Sequence, residues 1–361
     1  MIKNKLIILT SITIAVIVAA TIFANLRAPQ SQKEKTPFFP ELAKQIESVN
    51  YISIKGYSDS INLTRKNNVW GIDEFDGYPA LADKIKSTVL GAADLKINAP
   101  KTTLPRLYHR LGVEGPGVEG TNSLLLALYD SNKNKIIELI VGRPRLSSSA
   151  KNISGLYVRK PEDKKSYLVD GVLGISSIKT DWIRRNLFDI PAESIKSVNV
   201  AHYDGDSYTL YKNEKGQEQF ELENISIGRE LASELIINRF GTILQDLQIS
   251  GAKSKELLRE ENKNTKIIVT TFEGIVGNIT AFKYNDIAYA SFAFSYDEEI
   301  EKNNNEEEVK NEDIKNYITN LNLDTENWWF EIPEFKYDII KRRLNTITRD
   351  IQSIGPEELT E

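Results

Sequence analysis

The chain repeats itself in order, and that restricts its fold more than any single motif does. Ser48-Val49-Asn50 returns as Ser197-Val198-Asn199, and Ser60 with Leu63 returns as Ser207 with Leu210. Each time an aromatic strand end follows, Trp70 or Phe220. "LADKIKSTVLGAADLKI" from Leu81 is matched by "LASELIINRFGTILQDLQI" from Leu231, with a shared Leu-Ala opening, a mid-helix glycine (Gly91, Gly241) and an Asp-Leu-x-Ile ending. "WIRRNLFDIP", up to Pro191, is echoed by "WWFEIP", up to Pro333. Self-similarity over several consecutive elements marks a repeated supersecondary unit. The expected fold class is therefore α+β: an N-terminal transmembrane helix, then two tandem, internally duplicated modules of antiparallel strands with packed helices, residues 41–191 and 192–340.

Local patterns fill in the first unit. "YISIKG", "SINLTRK" and "NVWGI" alternate as short strands around a "KNN" turn, and Leu81, Ile85 and Val89 share one face of a helix that begins near Pro79. Leu231 and Leu235 are the expected counterparts. "LLLALYDSNKNKIIELIVG" reads as a hairpin, two apolar strands about a polar turn. In the second unit, residues 296–313, "YDEEIEKNNNEEEVKNED", are too acidic to pack and are expected to form a mobile loop. Residues 341–361 are expected to be a helix end and polar tail.

Composition narrows the functional classes. A chain of 361 residues, 40% hydrophobic and 27% charged, can bury a substantial core. A net charge of −5 offers no general attraction to nucleic acid, so none is expected as a partner. With no cysteine, disulfides, thiol catalysis and Cys-based zinc sites are excluded. Leu6 to Ala24 carries no charge, and its length suits a membrane-spanning helix rather than a signal peptide's shorter apolar region. The expected plan is a short tail (1–5), a transmembrane anchor (6–26) and a proline-bearing stalk (27–40), with the rest of the chain on the outer side.

Four motifs invite chemistry. "GPGVEG", Gly115 to Gly120, is a literal G-x-G-x-x-G, but the segment before it has helical spacing and "NSLLLALYD" after it reads as a strand. A dinucleotide site needs the reverse order, so no nucleotide is expected. "SSAK", Ser148 to Lys151, is an S-x-x-K without the companion motifs of a Ser–Lys hydrolase, which leaves that enzyme a remote alternative. "DSNKNKIIE" from Asp130 begins like a calcium loop, but Lys135 stands where glycine is required and Val141 where a bidentate glutamate is required. His109 and His202 lack spaced partners, so neither a zinc triad nor a Ser-His-Asp set is suggested.

What remains is a basic cluster, Arg143 and Arg145 with Lys151, suited to an anion or a partner because guanidinium forks match carboxylate and phosphate oxygens. Trp182 with Arg184 and Arg185 reads as a packing element. No catalytic residue, cofactor or metal is expected.

The succession "ISIKGYSDSINLTRKNNVWGI", "YPALADKIKSTVLGAADL", "YHRLGVEGP", "LLLALYD", "IVGRP", "GLYVR", "YLVD" and "DWIRRNLFDIP" resembles the bacterial domain of unknown function 4340 family, most clearly over residues 45 to 200. The resemblance implies a protein anchored in the bacterial inner membrane with its domain in the periplasm, often beside ABC-type transporter components of the gliding-motility or polysaccharide-export kind. It implies no catalytic residues. The functional expectation is a non-enzymatic accessory or scaffold. The alternative is a module binding an envelope glycan or other ligand through aromatics such as Tyr203, Tyr208, Trp328 and Trp329.

Overall fold

A computed structural model describes residues 35–146, 153–297 and 308–351. The first half of the chain forms strands β1 (Tyr51–Lys55), β2 (Ser60–Lys66), β3 (Val69–Ile72), β4 (Tyr78–Pro79), β5 (Lys96–Pro100), β6 (Leu124–Tyr129), β7 (Lys135–Leu146), β8 (Ile153–Arg159) and β9 (Ser166–Asp170). They join in one antiparallel sheet, in the order β4-β3-β2-β1-β6-β7-β8-β9-β5. Alternation drives the strands: Ile52 and Ile54 of β1 lie opposite Leu63 and Ile61 of β2, all fully buried. Asn67 and Asn68 take φ of 49° and 64° to make the tight β2–β3 turn. The helix Ala82–Ala93 buries Ile85, Val89 and Ala92 against the inner face.

The second half forms β10 (Asn186–Phe188), β11 (Ile195–His202), β12 (Ser207–Tyr211), β13 (Glu221–Leu222), β14 (Arg229–Leu231), β15 (Leu247–Gln248), β16 (Gly251–Ser254), β17 (Thr265–Thr271), β18 (Ile275–Tyr284), β19 (Ile287–Tyr296), β20 (Trp328–Glu331) and β21 (Thr348–Asp350). Eight of these make a second sheet, β13-β12-β11-β17-β18-β19-β20-β16, while β10 pairs with β15 and β14 with β21. Matched in chain order, this is the order of the first sheet without β4. The fold is α+β and mostly antiparallel.

Register shows which recurrences are structural. Ser60 and Ser207 each open the second strand of their pair, opposite Lys55 and Ala201, so Ser60 and Leu63 do correspond to Ser207 and Leu210. The same register sets Val198 level with Ile52. The Ser-Val-Asn identity is therefore out of step: Val49 precedes β1, whereas Val198 lies inside β11. "NLF" in β10 pairs with β15, whereas "WWFE" is β20, between β19 and β16, so those tryptophan segments do not correspond either.

Several other expectations are corrected. Leu81 and Leu235 are exposed; the second helix is only Glu234–Asn238, continued by a 3-10 turn, and it buries Ile237 and Phe240. The polar run 296–313 is not all loop: a helix, Glu308–Thr325, begins within it and buries Ile318 and Leu321 beside β19, while residues 298–307 lie outside the described residues. Folded structure starts before Glu41, since Pro37 bridges Lys96 and Phe38 and Phe39 are buried. Thr348–Asp350 forms a strand rather than a tail. The anchor segment lies outside the described residues, among which no helix is long and apolar enough to cross a membrane.

The inner faces of both sheets share one continuous apolar core. The sheets meet where β4 approaches β16. The Asp76 carboxylate there pairs with Lys253 at 3.2 Å and accepts the Ser254 N–H at 3.1 Å, and Tyr78 packs edge-on against Trp328 and Phe330. Burial pushes the Tyr78 phenol up to about 12, with the Asp324 charge adding to it.

Candidate functional site

The segment linking β5 to β6 crosses the outer face of the first sheet. Pro105 opens a 3-10 turn, the helix Tyr108–Leu111 follows, and Gly112 ends it at φ 67° with its N–H bonded to the Tyr108 carbonyl. Only then does the glycine run follow, leading into β6. The order is helix, turn, strand, so "GPGVEG" has no helix N-terminus behind it to hold a pyrophosphate.

Arg159 of β8 fastens this crossing. Its guanidinium is buried and donates to the carbonyls of Val113 (3.0 Å), Glu114 (3.2 Å), Pro161 (3.1 Å) and Asp163 (3.2 Å), and it lies 4.5 Å from the Tyr108 ring centroid. Five fixed donors suit a set of convergent carbonyls. Gly142 of β7 permits the close approach, because a Cβ there would stand 2.3 Å from the Leu111 carbonyl oxygen.

Between crossing and strand lies a cavity of about 420 Å³, walled by Gly112, Glu114, Thr121, Asn122, Arg143 and Pro144 among others. Arg143 is exposed at its edge and bonds to no described residue. One carboxylate oxygen of Glu114, Oε2, is buried with no hydrogen-bond partner. Arg145, two residues along β7, is exposed and acts on Asp170; burial opposes ionisation of that carboxyl, but hydrogen bonds from Lys35 and Asn98, with the charges of Lys35 and Arg145, keep it below its ordinary range. Lys151 and Ser148 lie outside the described residues. The structure thus puts Arg143 at a cavity with Glu114, a residue with no recognisable sequence signal.

Elsewhere, polar groups secure the fold. Asp130 caps its own hairpin turn, accepting N–H bonds from Asn132 and Asn134 at 2.9 and 2.8 Å. His109 is exposed. His202 is buried, with Nε2 at 2.8 Å from the Arg342 carbonyl and Nδ1 at 2.9 Å from the Thr265 hydroxyl. Facing a carbonyl, Nε2 carries the proton and Nδ1 accepts from Thr265. Burial lowers the His202 pKa. Lys336, buried, donates to the carbonyls of Thr242 and Gln245. Trp182 is fully buried, its indole N–H bonded to the Ser176 carbonyl, as a packing role requires. Of the aromatics considered for glycan binding, Tyr208 and Trp329 are buried and Trp328 half-buried; Tyr203 is exposed. Among the described residues no cluster of three or more His, Asp or Glu side chains could hold a metal.

A family model described as a domain of unknown function (DUF4340) matches residues 70–328. The chain belongs to that family. The DUF4340 match runs from β3 to the first residue of β20, so the family pattern takes in both sheets, well beyond the stretch 45–200 where the resemblance is plainest. No curated protein and no solved structure matches this DUF4340 chain.

Proposed function

We propose that this DUF4340 protein is a non-enzymatic accessory or scaffold, held at the bacterial inner membrane by residues 6–26 with its folded part on the periplasmic side, and working with a membrane partner such as an ABC-type transporter or envelope assembly. The observation that carries this reading is where the buried polar groups go. Arg159, His202 and Lys336 each tie one chain segment to another through carbonyls, and Asp76 ties one sheet to the other. Buried polar groups spent on holding chain segments together are what a scaffold requires. The common strand order supports taking 41–191 and 192–340 as copies of one unit. Two sheets built on one shared core suit presenting surfaces to a partner.

Crosslinking with mass spectrometry on native membranes tests the proposal. The expected result is crosslinks from the surface lysines to an integral membrane protein. A chain released intact by carbonate extraction and crosslinked only to itself would overturn it. The glycan alternative has Tyr203 as its exposed ring, and pull-down with envelope polysaccharide distinguishes the two.

A further inference from the structure

We propose that the cavity between the Gly112–Asn122 crossing and β7 binds a small zwitterionic ligand, a free amino acid or short peptide, with its carboxylate on Arg143 and its ammonium on Glu114. Three observations meet there. First, Arg143 has no partner among the described residues, although the same register position in the second sheet is occupied by Lys283, which is paired with Glu334 at 2.6 Å. The two sheets treat the same cationic position differently: among the described residues, the cation beside the cavity has no partner. Second, Glu114 lines the same cavity and its carboxylate accepts no hydrogen bond from a described residue, Oε2 being buried behind the cavity wall. Third, the cation and the carboxylate wall one space of about 420 Å³ yet make no ion pair with each other.

A cation and an anion held apart across one cavity ask for a ligand carrying both opposite charges. The guanidinium fork fits a carboxylate bidentately, and an ammonium pairs with the free carboxylate of Glu114 where it faces the cavity. The volume lies in the range of small-ligand sites, about 300–1,000 Å³. The lining residues include no aromatic ring on which a sugar or nucleobase would stack, and a Cβ at Gly120 would meet nothing within 4 Å, which leaves the wall open at that point. Arg159 adds positive charge beneath the Glu114 backbone but is already occupied by carbonyls.

The test is calorimetric titration of the full chain in detergent with glycylglycine, N-acetylglycylglycine, glycylglycinamide and glucuronate. Glycylglycine is expected to bind saturably. Blocking either end should weaken binding at least about tenfold, as should Arg143→Ala or Glu114→Gln, since each removes one charge-assisted contact. Lys283→Ala should leave binding unchanged. Arg143 is exposed and Glu114→Gln is isosteric, and thermal melts confirm that the variants are folded; if one is not, the other decides. No saturable glycylglycine binding, binding indifferent to both substitutions, or Arg143-dependent binding of glucuronate in its place would overturn the proposal. The scaffold reading stands or falls separately, on crosslinking.

Discussion

Gly142 in the first sheet and Phe282 in the second occupy one register position, each following the residue that pairs with the start of the preceding strand. Over Gly142 the backbone of Leu111 and Gly112 lies directly on the strand. Over Phe282 side chains fill the space: Phe282 is fully buried, edge-on to Trp329 at 4.7 Å, with Tyr289 and Leu258 completing the cluster and the Trp329 indole N–H bonded to the Leu258 carbonyl. Beside this cluster lies a cleft of about 220 Å³, and over the first sheet a cavity of about 420 Å³. One connectivity therefore produces a packed outer face or a hollow one. The choice is made by side-chain volume at a single strand position and by the chain that crosses it.

Four substitutions test that contrast. Phe282→Ala should cost the most, about 3–5 kcal/mol, because a fully buried ring leaves a cavity that its neighbours cannot close; chemical denaturation measures it, and a loss below about 1 kcal/mol would mean that the second sheet's outer cluster is not packed as described. Gly142→Ala should cost about 1–3 kcal/mol in the same assay, since its Cβ meets backbone oxygen that cannot step aside. A neutral result there would remove the reason for calling the first sheet's crossing a backbone contact.

Asp76→Asn weakens the joint between the sheets and should cost on the order of 1 kcal/mol, the scale of a hydrogen bond and a partly exposed ion pair. Hydrogen exchange should speed up at Ser254 while the strand centres stay protected. The smallest effect concerns His202, on the second sheet alone. Its folded pKa lies below the ordinary 6.5, so the folded state binds fewer protons than the unfolded one. Stability from this group is present above that pH and is lost as pH falls below it. The melting temperature should therefore fall more steeply on acidification in the native protein than in His202→Gln.

Features governed by a few neighbouring residues were legible in the chain. The "KNN" turn, the Asp130 hairpin and the inward Ile85 and Val89 all follow from spacing and from residues whose backbone preferences are strong. The repeat was legible as an ordered series, yet its most obvious identity, Ser-Val-Asn, is out of register. A strand's facing is set by what it pairs with rather than by three matching letters. At the candidate site, Arg143 was visible as one of a basic cluster, whereas Glu114 was only one acid among many.

Alternation, turn chemistry and the recurrence of elements, all properties of near neighbours, let the sequence alone determine an α+β chain of antiparallel hairpins in two similar runs. Tertiary structure decided that the two runs share one core, that Arg159 reaches back to Val113 and Glu114, that the acidic run leads into the helix Glu308–Thr325, and that Arg143 and Glu114 face one cavity. Each of these joins residues far apart in the chain, and the energies that select them come from burial and hydrogen bonding, which exist only once distant segments have met.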